Sequence, residues 1–202
     1  MISMKEPHEV VEPVLNIVGE RIALGPLDRA WIPLYQRWRN DFRIMSTYGD
    51  ELSPITREAK DAWYESQVTT KESLWFTVYE RETMRPIGLT DFFNIERDHG
   101  LAWSGIVIGE ADCRGKGYAA EVARLMLDYA FTALNLHVVV LSVDEFNTPA
   151  RKAYARAGFK ESGRFRGATH LAGRHYDRIV MDCLASEFES PVLRSILEPG
   201  ME

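Results

Sequence analysis

Arg114-Gly115-Lys116-Gly117-Tyr118-Ala119 stands where a run of β-branched residues ending at Ile108 gives way to a helical stretch. Gly115 and Gly117 lack Cβ atoms, so backbone N–H groups around them can converge on an anion. The start of the following helix adds its partial positive charge, and Arg114 and Lys116 add full ones. A pyrophosphate suits such a cradle. The glycine spacing and the missing Lys-Ser/Thr ending exclude a P-loop, and the dinucleotide pattern G-x-G-x-x-G is missing as well. The plainer alternative is a tight glycine turn whose basic residues simply stay solvated.

Working outward, the residues before the cradle read as three strands. Leu74–Glu80, residues 87–95 and Leu101–Ile108 are each rich in β-branched or aromatic residues, and polar turns separate them, which suits an antiparallel meander. Earlier still, residues 20–24 read as a strand stopped by Gly25-Pro26. Asp28 then stands as an N-cap for one amphipathic helix carrying Ile32, Tyr35, Trp38, Phe42 and Met45 on a single face. Thr56 is placed to cap a second helix running to about Val68. After the cradle, a helix from Gly117 to Leu134 aligns Val122, Leu125, Met126, Tyr129 and Ala133. Residues 137–143 read as a buried strand, Thr148–Ala157 as a helix ended by Gly158, and residues 159–162 and 176–184 as closing strands. The expected organisation is an arm over residues 1–16, one domain over 17–188 and an appendage over 189–202.

The cradle resembles the R/Q-x-x-G-x-G/A signature of the GNAT N-acetyltransferases, in which the loop wraps the pyrophosphate of coenzyme A. A second likeness follows in Asn147, Ala150, Tyr154 and the Gly158-Phe159 pair. The resemblance covers about residues 20–188. It is strongest to the ribosomal-protein alanine and spermidine acetyltransferase branch, through 105–110, Asp128-Tyr129-Ala130-Phe131 and Gly173-Arg174-His175-Tyr176-Asp177. It implies a single mixed α/β domain with a bent, mainly antiparallel sheet whose central strands splay apart. It also implies acetyl-CoA as co-substrate without a metal, with Arg114, Gly115, Lys116, Gly117, Tyr118 and Ala119 around its phosphates. The backbone of Val107 and Ile108 and the side chain of Asn147 are then expected along the pantetheine arm, and Tyr154 faces the departing sulfur as general acid.

Acetyl transfer to an amine needs a neutral nitrogen, a polarised carbonyl and a proton for the thiolate. Many relatives carry a glutamate two residues before the position of Gly105, but here Trp103 occupies it. Asp91, set among Ile87, Leu89, Phe92 and Phe93, is the replacement candidate, since a carboxylate in such a strand is paired, desolvated or working. Glu96, Asp177 and ordered water are weaker candidates for the base. Trp63 and Trp103 are expected to wall the acceptor pocket. His170 and His175 read as surface residues of the closing hairpin.

Composition bounds the partners. The chain has 202 residues, 46% hydrophobic and 27% charged, with a net charge of −6. That acidity disfavours nucleic acid and mildly favours a cationic acceptor. No stretch approaches the ~20 apolar residues of a membrane helix. The beginning, with Glu6, Glu9 and Glu12, lacks an apolar signal core, so a cytoplasmic location is expected by default. Cys113 and Cys183 show no metal-type spacing and read as free thiols. A monomer and a homodimer both remain open. The expected activity is acetylation of a small-molecule primary amine (a polyamine, an amino sugar or an amine antibiotic). The alternatives are the α-amine of a protein N-terminus and a non-catalytic acyl-CoA sensor.

Overall fold

The computed structural model describes residues 12–49 and 51–198, and the expected arm lies outside it as far as residue 11. The chain enters through a short strand, Ile17–Val18 (β1), which pairs antiparallel with Ile22–Pro26 (β2). Gly25 and Pro26, expected to stop this strand, instead complete it, pairing with Thr77 and Phe76. Pro26 has no N–H to donate, so it sits at the strand's last position, where one fewer ladder bond is tolerated.

The single helix expected over Ile32 to Met45 is two helices, Ile32–Arg39 (α1) and Phe42–Tyr48 (α2). Asn40 and Asp41 make the break. Asn40 Nδ2 donates to the Gln36 and Ile55 carbonyls, and its Oδ1 accepts from Ile55 N. Asp41 then caps α2 by accepting from Arg43 N at 3.0 Å. Short polar side chains of this kind offer the backbone partners that compete with helix continuation. The third helix, Arg57–Thr69 (α3), begins at the expected cap, Thr56, whose hydroxyl accepts from Ala59 N at 3.2 Å.

Leu74–Glu80 (β3), Arg85–Glu96 (β4) and Leu101–Ile108 (β5) form the antiparallel meander. After the cradle come Tyr118–Asp128 (α4), Val138–Asp144 (β6), Thr148–Ala157 (α5) and the hairpin of Lys160–Leu171 (β7) with Arg174–Leu184 (β8). The helix expected to run on to Leu134 changes at Tyr129–Ala133 to a wider π-type turn, in which Leu134 N donates to Tyr129 O. β7 is three times the length of the strand expected there. Every residue from Lys160 to Ala168 is exposed, so no alternation of burial marks the strand in sequence, and its pairing with β8 carries it instead.

One eight-stranded sheet results, in the order β1-β2-β3-β4-β5-β6-β8-β7. One core, with Ile87, Phe92, Val122 and Met126, lies under α4. The other, with Ile32, Tyr35, Met45 and Leu89, lies under α1 and α2. All pairings are antiparallel except β5 with β6, which touch only through Leu101 to Trp103 against Val138 to Val140. Past Trp103, β5 continues beside β4 to Ile108 and β6 continues beside β8 to Asp144. The sheet therefore opens into a slot at its centre.

The final helix, Leu193–Leu197 (α6), is held to the domain by Asp128, whose Oδ2 accepts from Val192 N and Leu193 N, each at 2.9 Å. Among the described residues no helix is long and apolar enough to cross a membrane.

Candidate active site

A groove of about 940 Å³ follows the slot. At one end it is lined by Arg114, Gly115, Gly117, Tyr118 and Ala119 and along its length by Val107, Ile108, Asn147 and Tyr154. Gly115 and Gly117 take positive φ of 75° and 84°. A Cβ on Gly115 would meet open space, so nothing of the protein fills that hollow. Gly117 is also the N-cap of α4 and supplies no side-chain cap, and Tyr118, Ala119 and Ala120 of the first turn line the groove. These features fit a pyrophosphate. Arg114 is fixed beside them by donating to the Ile108 and Gly109 carbonyls at 3.2 and 3.0 Å.

Lys116, grouped with the cradle in sequence, does not line the groove. Its carbonyl accepts from Arg21, and its ammonium lies 5.9 Å from the Tyr118 ring centroid. Asn147 lines the groove, but its side chain is committed to the fold. Oδ1 caps α5 by accepting from Ala150 N, and Nδ2 donates to the Thr47 carbonyl on α2. Tyr154 is 8% exposed. Burial, with the Asp91 charge adding to it, pushes its phenol up to about 12, so it stays protonated and able to donate throughout the neutral range.

A second cavity of about 380 Å³ lies between α1–α3 and the meander, and Tyr48, Phe93 and Val107 line both spaces. Its walls are aromatic: Trp63 meets Trp75 edge-on at 5.1 Å and Tyr35 at 6.3 Å. Arg39 and Lys60 also line it, with Lys60 Nζ 3.1 Å from the Trp63 ring centroid. Asp91 lies on this cavity, 3% exposed, and its Oδ1 is buried without a completed hydrogen bond. Burial pushes the carboxyl up to about 8, against the Gly105 N–H and the Tyr48 hydroxyl, which favour its charged form. A carboxyl so poised can exchange a proton near neutrality.

Of the two tryptophans expected at the acceptor, Trp63 lines the cavity and Trp103 does not. Trp103 packs on Phe93 at 6.3 Å and lines the wide groove instead, because β5 carries it past Gly105 to the point where β6 departs. Glu96 is exposed and lies on neither space. Asp177 is likewise outside both, held below the usual carboxylate range by the Gly167 N–H and Arg164. His170 and His175 stack at 4.7 Å on the exposed hairpin. The residues that sequence reasoning missed are Tyr48 and Lys60. Both reach the cavity through helix packing between elements far apart in the chain, and no local pattern announces that.

Residues 21–160 match the family described as acetyltransferase (GNAT) domain. The chain belongs to this family, and it is an N-acetyltransferase that uses acetyl-CoA. Among its relatives, the spermidine N(1)-acetyltransferase of Vibrio cholerae serotype O1 is 28% identical over 85% of this chain and 97% of its own. That of Escherichia coli K12 is 28% identical over 89% and 92%. An N-acetyltransferase of Bacillus licheniformis, p20, is 32% identical over 56% of this chain and 63% of its own. The crystal structure of the Vibrio cholerae spermidine N-acetyltransferase with CoA and spermine superposes with a TM-score of 0.77 at 28% identity, covering 83% of this chain and 97% of the other.

Proposed function

We propose that this acetyltransferase acylates a primary amine of a small molecule, and that the polyamines are the first acceptor class to try. The observation that carries the reading is the Asp91 carboxyl, buried with an open Oδ1 on an aromatic cavity that abuts the cofactor groove. An amine entering that cavity supplies Oδ1 with a completed hydrogen bond, in addition to the Tyr48 hydroxyl nearby, and aromatic faces favour a cation. Spermidine acetylation by relatives that cover most of the chain supports a small acceptor over a protein N-terminus.

In this reading acetyl-CoA, held by the open turn of α4, Gly115, Gly117 and Arg114, supplies the acetyl thioester. Asp91 takes a proton from the acceptor's ammonium, leaving the nitrogen lone pair free to attack the carbonyl carbon. Backbone N–H groups of β5 past Trp103, unpaired on the slot side, stabilise the charge on the carbonyl oxygen. The carbon–sulfur bond breaks as the amide forms, and the Tyr154 hydroxyl donates a proton to the sulfur. The test is release of free thiol from acetyl-CoA with spermidine, an amino sugar, an amine antibiotic and a peptide with a free N-terminus. Small amines are expected to turn over; acetylation of the peptide alone overturns the proposal.

A further inference from the structure

We infer that Tyr48 is a positioning residue for the acetyl transfer, holding the Asp91 carboxylate at the junction between the acceptor cavity and the cofactor groove. The inference rests on Asp91 acting as the base.

Three observations carry it. A Cβ built on Gly105 would lie 2.7 Å from the Tyr48 hydroxyl oxygen and 2.8 Å from Asp91 Oδ1. The two oxygens therefore converge over the bare Cα of Gly105, on the residue that pairs directly with Asp91 across the sheet. Secondly, Tyr48 lines both the cavity and the groove, as a residue working at their junction must. Thirdly, the end of α2 that presents it is tied down: the Thr47 carbonyl accepts from Asn147 Nδ2 at 3.1 Å, which links α2 to the helix bearing Tyr154, and Gly49 closes α2 in the left-handed conformation at φ 84°. Asn147 thus serves the reaction by fixing Tyr48 and Tyr154 relative to each other.

A phenol donates to a carboxylate and so stabilises its charged form. Without Tyr48, a carboxyl this deeply buried stays protonated to higher pH and is a poorer base near neutrality. The other charged or titratable groups around Asp91 are Tyr35 and Arg39 on α1, Lys60 on α3 and Tyr154 on α5. None of them is altered by a substitution at Tyr48.

The experiment is the pH dependence of kcat/KM for the amine in wild type, Tyr48→Phe, Gly105→Ala and Asp91→Asn. Tyr48→Phe is expected to move the acid limb up by about one pH unit, with activity returning to within about threefold of wild type above the new limb. Gly105→Ala parts the two oxygens and is expected to move the limb the same way, which serves if the phenylalanine variant folds poorly. A merely structural tyrosine would lower activity at every pH and leave the limb in place. If Asp91→Asn keeps the wild-type limb, the base assignment fails and this inference falls with it. If Asp91→Asn removes the limb but neither Tyr48→Phe nor Gly105→Ala moves it, Asp91 stands as base and the role of Tyr48 is overturned.

Discussion

The glycine turn proposed to hold phosphate and the cavity proposed to hold the acceptor are built in opposite ways. The cradle is one contiguous turn, Arg114 to Ala119, and its chemistry is backbone: two positive-φ glycines and the uncapped first turn of α4. The cavity is assembled from side chains of α1, α2, α3, β3, β4 and β5, and its one carboxylate is buried at the sheet's centre. A backbone device binds whatever carries phosphate and tolerates change in most of its side chains. A device made of converging side chains depends on each of them, and it is where a family can alter its acceptor while keeping its donor.

The sharpest way to break this contrast is Asp91→Asn. Loss of kcat/KM for the amine by roughly 10²–10⁴ is expected, with acetyl-CoA affinity measured by calorimetry unchanged. The same variant tests the burial of the charge. A carboxyl whose folded pKa is raised to about 8 contributes stability that is complete below its unfolded value and is lost as pH rises through about 8. Asparagine removes that loss. Above pH 8 the variant should therefore melt higher than wild type, a difference that thermal melts at pH 6 and pH 9 would show. A lower Tm with normal kinetics would make Asp91 structural. Tyr154→Phe comes next, with kcat expected to fall by roughly 10²–10³ and donor affinity to change little. A fully active variant would assign this ring to its packing against Phe159.

The same contrast explains what could be read from sequence. Gly115, Gly117 and the following helix are adjacent in the chain, so turn chemistry revealed them without knowledge of the fold. The meander and its order were legible because β-branched runs and polar turns alternate there. Asp91 stood out as a charge in an apolar strand, although the sequence could not show that Oδ1 lacks a completed bond. Tyr48 left no signal, because the role proposed for it depends on meeting Gly105 across 57 positions of chain. Trp103 lines the wide groove and not the smaller cavity, which the sequence does not reveal, because strand alternation tells which face a side chain takes but not where a neighbouring strand leaves the sheet. β7 was underestimated since an exposed edge strand carries no hydrophobic alternation.

Within the cradle, Gly117→Val should weaken acetyl-CoA binding by about 10–100-fold. Its φ of 84° is unfavourable for any β-branched residue, and the new side chain opens into space within 4 Å of only Arg21. Some stability is lost as well, so affinity is to be measured by calorimetry well below the variant's Tm. Unchanged affinity would remove the pyrophosphate assignment.

The smallest expected effect belongs to Lys116, and it separates the two ways a cradle can hold an anion. If full charges did the holding, Lys116→Ala would cost about as much as Gly117→Val. The geometry argues otherwise: the side chain turns toward Tyr118, does not line the groove, and leaves its backbone carbonyl to Arg21. A solvated ammonium acting at a distance is screened within about 8 Å at physiological salt. Lys116→Ala should therefore raise the Kd for acetyl-CoA by less than about threefold at 0.15 M salt, and the difference should shrink further at 0.5 M. Arg114→Ala, which removes a guanidinium fixed on the Ile108 and Gly109 carbonyls, should exceed it at both salt concentrations. If Lys116→Ala proves the larger loss, the ammonium swings into the groove when the donor binds, and the cradle works by side-chain charge after all.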